Sequence, residues 1–103
     1  DGTAEAITAA GSTAAVSVTT AITNITSSNT TTGGNTLTLA NGVQGQIKII
    51  TKISGTHDVD VTPAAFTNGT KLTLSAVGET VTLIFNNSSW QIQSVQPHDL
   101  TIA

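Results

Sequence analysis

From Gly34 onward, apolar and hydroxyl side chains alternate in short runs, each cut off by Gly, Pro, Asn or Asp. A period of two with punctuation this frequent leaves a chain little but β-strand. Leu37 and Leu39 alternate with Thr36 and Thr38, Val81, Leu83 and Phe85 with Thr80, Thr82 and Ile84, and Trp90 and Ile92 with Gln91 and Gln93. Side chains of a strand point to opposite faces in turn, so each run offers one oily face and one polar one.

Turns fall where residues tolerate positive φ: Asn41-Gly42, residues 54–57, Asn68-Gly69, Gly78 and residues 86–89. Leu72 and Leu74, separated by Gly78 from the 81–85 run, read as one hairpin with it. Over 46–53, Ile47, Ile49 and Ile53 share a face with Thr51, while Lys48, Ile50 and Lys52 share the other. That pattern predicts a half-buried strand whose second face is mixed. Val59 and Val61 alternate with Asp58 and Asp60 up to Pro63, which lacks a ladder donor and ends a short strand. Pro97 breaks the chain before 100–103, a last strand or a tail.

The first third differs, being dominated by Ala, Thr, Ser and Asn. Val16, Val18 and Ile22 fall on even positions and Ile25 breaks the alternation, which predicts one or two poorly covered strands followed by a flexible 27–34 segment. Residues 1–34 therefore read as an extended, strand-exchanging N-terminal arm, and 35–103 as an all-β, antiparallel sandwich or barrel of jelly-roll type. Such an arm buries too little apolar surface to offset its ordering entropy. A neighbouring subunit is its expected partner, gripped through Val16, Val18, Ile22 and Ile25 by strand addition at a sheet edge. No fixed repeat of 20 to 50 residues is evident, so a solenoid has no support.

Composition narrows the function. With 103 residues, no Cys, no Met, one Trp and two Phe, the chain is one domain with an aliphatic core, and neither a disulfide nor a thiolate metal site is available to staple it. Further stability would have to come from association. A net charge of −3 with three Lys and no Arg lacks the basic footprint of nucleic-acid binding. Nor does any apolar run approach the roughly 18 residues of a membrane span.

Candidate chemistry is sparse. Asp58 and Asp60 would lie about 6.5 to 7 Å apart on one strand face, enough to begin a Ca²⁺ site if carbonyl oxygens and Asp99 or Glu79 joined; a solvated strand face that discourages edge pairing is the preferred reading. His57 and His98 each stand beside an Asp but in turns, with no nucleophile elbow. No catalytic residue, metal or cofactor is expected. Trp90 either stacks on a sugar or plugs the end of the core. With His57, Asp58 and Asn87 it makes up the candidate contact set for a partner or a host glycan.

One resemblance runs through the ordered set of 35–42, 45–50, Val61-Thr62-Pro63, Gly69-Thr70, Leu72-Thr73-Leu74, 78–85 and Trp90, preceded by 16–26. In order and spacing this resembles a small β module of structural proteins in tailed phages, particularly marine and cyanobacterial ones. Ser54-Gly55-Thr56-His57 stands where a Gly-Gly turn is common in that module, and Asn87-Ser88-Ser89 where Asp-Gly or Asn-Gly precedes the Trp. The resemblance implies a virion-surface component, often trimeric, used as capsid decoration or as a head or tail fibre module. The function expected is thus a homotrimeric virion structural protein, not an enzyme, that binds itself and a capsid or fibre protein. Its rivals are a receptor-binding fibre module and an extracellular filament subunit built by strand donation.

Overall fold

The computed structural model describes residues 4–10, 13–27, 35–96 and 101–103. Their strands are β1 (Glu5–Ala9), β2 (Ala14–Val16), β3 (Ile22–Ser27), β4 (Thr36–Leu39), β5 (Ile47–Ser54), β6 (Val59–Pro63), β7 (Leu72–Leu74), β8 (Thr80–Asn86), β9 (Ser89–Gln96) and β10 (Thr101–Ile102). One five-stranded sheet runs β1-β3-β5-β8-β9 and the other β2-β4-β6-β7-β10. Each of β1 to β9 turns one side inward, and the two inner faces share a single core, which makes the fold an all-β sandwich.

The sheets are mixed where antiparallel ones are expected from the sequence. Odd strands enter the first sheet and even strands the second as the chain winds from β1 to β6, so β1, β3 and β5 are mutually parallel, as are β2, β4 and β6. This is a short two-sheet coil, closed by antiparallel strands β7 to β10. Its stacked partners are unevenly spaced: Glu5 lies on Thr23, Ala14 on Leu37, Ile22 on Ile49 and Thr36 on Asp60. Connections of unequal length erase any fixed repeat, which is why the coil leaves no periodic trace in the sequence.

Two further expectations change. Leu72–Leu74 and Thr80–Asn86 form no hairpin, because they belong to different sheets and face each other's side of the core; the hairpins are β6-β7 and β8-β9. Within the segment expected to be an arm, β1, β2 and β3 lie on the chain's own sheets; of the flexible stretch expected over 27–34, Ser27 is the buried last residue of β3 and 28–34 fall outside the described residues. Val16 ends β2, Val18 sits in the crossing between sheets, and Ile25 rather than Ile22 points inward. The even-position pattern therefore spans two strands of opposite sheets, not one strand.

Leu37, Leu39, Val59, Val61, Leu72, Leu74, Val81 and Leu83 are fully buried, each contributing roughly 1.5–3 kcal/mol by the usual transfer arithmetic. Trp90 closes the core. It is 0% exposed, its Nε1–H donates to the Ala40 carbonyl at 2.9 Å, and Phe85 meets it edge to face at 5.2 Å. Gly42 owes its identity to this ring and not to a positive-φ turn, since a β-carbon there would stand 2.9 Å from Trp90 Cζ2. Gly55 combines φ +101 with a close approach: a β-carbon would come within 2.1 Å of the Ser27 carbonyl oxygen.

β5 has the reverse of a conventional register. Its mixed face is the core face: Lys48, Ile50 and Lys52 are fully buried, whereas Ile47 and Ile53 are 42% and 48% exposed. Both ammonium groups are satisfied by oxygen atoms. Lys48 Nζ donates to the Thr20 carbonyl at 2.8 Å and its hydroxyl at 3.0 Å, and Lys52 Nζ to the carbonyls of His57 at 2.7 Å and Ser75 at 2.5 Å.

Candidate functional site

The coil begins with β1 and β2 side by side at the same end of the sandwich, each the outermost strand of its sheet. Among the described residues neither has a neighbour on its outer side, so each presents a row of backbone donors and acceptors. Proteins commonly blunt such edges with Lys, Pro, a bulge, brevity or an inward-pointing charge. β1 carries no Lys, Pro or bulge, and its outward side chains are uncharged. Ala6 and Thr8 are its exposed side chains, and its one charge, Glu5, is turned inward. The Glu5 carboxylate accepts from the Ser17 N–H at 3.0 and 3.3 Å and from the Thr23 hydroxyl at 2.7 Å, pinning β1 to the start of the next rung. The opposite end is guarded: β10 has two residues, and the β8-β9 ladder is interrupted between Thr82 and Leu83.

The four apolar residues expected to grip a neighbour divide differently. Val16 and Ile25 are buried in this chain's core, Val18 packs against that core, and Ile22 points outward. Their burial is the reason β1 to β3 dock where they do.

The expected contact set for a partner or glycan does not converge. Trp90 presents no ring face to solvent. His57 and Asp58 follow the end of β5, whereas Asn87 follows the end of β8, and antiparallel pairing of Ile47 with Ile84 and Thr51 with Thr80 puts these turns at opposite ends of the first sheet. His57 and Asp58 serve the fold through their backbones: the His57 N–H donates to Ser27 Oγ, and the Asp58 carbonyl accepts from Asn35 Nδ2. Asn87 is exposed, and its N–H donates to Gln44 Oε1.

Asp60 is occupied by Lys71 at 3.1 Å and by the Thr73 hydroxyl at 2.7 Å. No cluster of three or more His, Cys, Asp or Glu side chains suited to a metal occurs among the described residues; His98 and Asp99 lie outside them. A hollow of about 480 Å³ at the ends of β4 and β6 is lined by Thr38, Leu39, Ala40, Thr62, Pro63 and Ala64. That lining holds no acid, base or thiol.

Sequence reasoning missed Glu5 and the inward lysines. Glu5 stands alone among Ala and Thr and carries no positional signal, whereas Lys48 and Lys52 flank Ile50 at a spacing of two and share its face. The chain matches no protein-family model and no curated protein.

Proposed function

We propose that the chain is a structural module of a virion surface that works by binding copies of itself and a capsid or fibre protein, with no chemistry of its own. The observation that carries self-association is the free outer edge of β1, which carries no Lys, Pro or bulge and which a further strand can extend by main-chain pairing, with the shorter edge of β2 ending the other sheet. The virion setting rests on the phage-module resemblance, and a homotrimer is the assembly it implies.

An edge pairing of this kind needs no side-chain recognition, so the module would tolerate the Ala- and Thr-rich composition of its first strands. Exchange of those strands between subunits remains compatible with the same contacts, since a swapped strand occupies the place of the resident one. A filament is the second reading, favoured by the dissimilarity of the two ends: an open end meeting a different end of the next copy makes a contact that does not close.

Light scattering of the parent and of the Ala6→Lys/Thr8→Lys variant tests the reading. Both positions are exposed on the edge strand, so the variant should keep its circular dichroism and lose its oligomers. A parent that is monomeric throughout the micromolar range would overturn self-association. Electron micrographs separate closed oligomers from filaments.

A further inference from the structure

The strand register of β5 sets up a second surface. A chain with only three lysines turns two of them into the core, at the cost of desolvating both, and exposes isoleucines in their place. A one-residue slip would bury the isoleucines and wet the lysines. The observed register is stabilised by carbonyl groups that await the ammonium groups, so the outward isoleucines belong to the design of the fold.

These isoleucines do not stand singly. Ile47 pairs with Ile84 on β8, Ile49 pairs with Ile22 on β3, and Ile47 and Ile49 are neighbours on the same face. The result is a continuous aliphatic patch across three strands, surrounded by Thr, Ser, Asn and Gln. Among the described residues the outer face of the first sheet carries no Asp, Glu or Lys, whereas the second sheet's outer face bears the Lys71–Asp60 ion pair.

We infer that the outer face of the first sheet docks against the same face of a second copy. This deepens the self-association reading and rests on it, while naming a face where that reading names an edge. Charge and area identify the occupant. A nucleic acid or an anionic membrane would call for lysines, which this face lacks. A like face is its own complement: two uncharged sheets meet with no like-charge repulsion, although the protein as a whole is acidic. Five strands at the ordinary spacing give a face of roughly 20 by 20 Å, so two copies would bury about 800–1,000 Å² in total, the size of a weak, reversible contact that adds to edge pairing and does not replace it. Face-to-face packing also leaves the β1 and β2 edges accessible for their own contacts.

The absence of cysteine makes the test clean. Thr82 lies beside Ile49 on this face, and Thr38 is exposed on the outer face of the other sheet. Under mild oxidation the full chain carrying Thr82→Cys should form a disulfide-linked dimer at least tenfold faster than the chain carrying Thr38→Cys. Ile47→Lys, at a position already 42% exposed, should abolish that cross-linking in the Thr82→Cys background while leaving circular dichroism unchanged. Equal cross-linking rates for the two cysteine variants, or a rate insensitive to Ile47→Lys, would overturn the face docking and leave edge association standing if the parent still forms oligomers. A parent that is monomeric by light scattering would remove both.

Discussion

Lys48 on β5 is held inside the sandwich by Thr20, whose carbonyl and hydroxyl accept from its ammonium group at 2.8 and 3.0 Å. Burial pushes the Lys48 ammonium below its ordinary value of 10.5, and the carboxylate of Glu5 partly offsets that push. Folding therefore favours the neutral amine. At pH values below the lowered pKa both the folded and unfolded chains carry the proton, and the full cost of burying it is present. As pH rises from there toward 10.5 the folded chain gives up its proton first, so stability increases across that window and levels off above it. Denaturant midpoints measured from pH 7 to 11 should rise, and Lys48→Met should flatten the rise. An unchanged slope in Lys48→Met would assign the effect to another group.

The β8-β9 hairpin turns through Asn87 at φ 56 and Ser88 at φ 65, a pair of left-handed residues of the kind that favours Asn-Gly. Asn tolerates this conformation, whereas Ser pays for it. Ser88→Gly should stabilise the protein by about 0.5–1 kcal/mol, read as a higher denaturant midpoint at unchanged slope. A lower midpoint would contradict the assigned turn.

Gly42 stands against Trp90 and Gln46, with a β-carbon there reaching to 2.9 Å from the ring and 2.3 Å from Gln46 Oε1. The glutamine can move aside, but the fully buried ring has no room to do so. Gly42→Ala should cost about 1–3 kcal/mol by overpacking and shift the Trp90 fluorescence. A neutral result would mean the ring is looser than its burial indicates.

How much was legible in the sequence depended on whether the signal was local. Alternation located the strands from β4 to β9 and the short strand ending at Pro63, because face alternation is a property of consecutive residues. Sheet membership was not local. Leu72–Leu74 and Thr80–Asn86 look like hairpin partners until the chain crosses between sheets at Gly78, where its N–H donates to the Lys52 carbonyl at 2.8 Å. The inward turn of Lys48 and Lys52 was hidden for a similar reason: the oxygens that accept from them come from Thr20, His57 and Ser75, distant in sequence or placed by turns. Among the expected contact residues, the core role of Trp90 was visible as one of two readings, and burial decides between them.

Ile25 tests how firmly the leading strands belong to the fold. It is fully buried on β3, the strand that joins β1 to β5. Ile25→Ala should destabilise the whole domain by about 2–5 kcal/mol, comparable to Leu83→Ala, in a single cooperative transition. A separate low-temperature transition for residues 4–27 would instead describe a detachable arm.

Whether the β1 and β2 edges are assembly surfaces can be read from residue-resolved amide hydrogen exchange over a range of protein concentrations. If they are, outward-facing amides within Glu5–Ala9 and Ala14–Val16 gain protection as concentration rises, while those of buried β5 and β6 stay constant. Edge amides that exchange at the same rate at every concentration, in a protein whose oligomers grow over that range, would contradict that role.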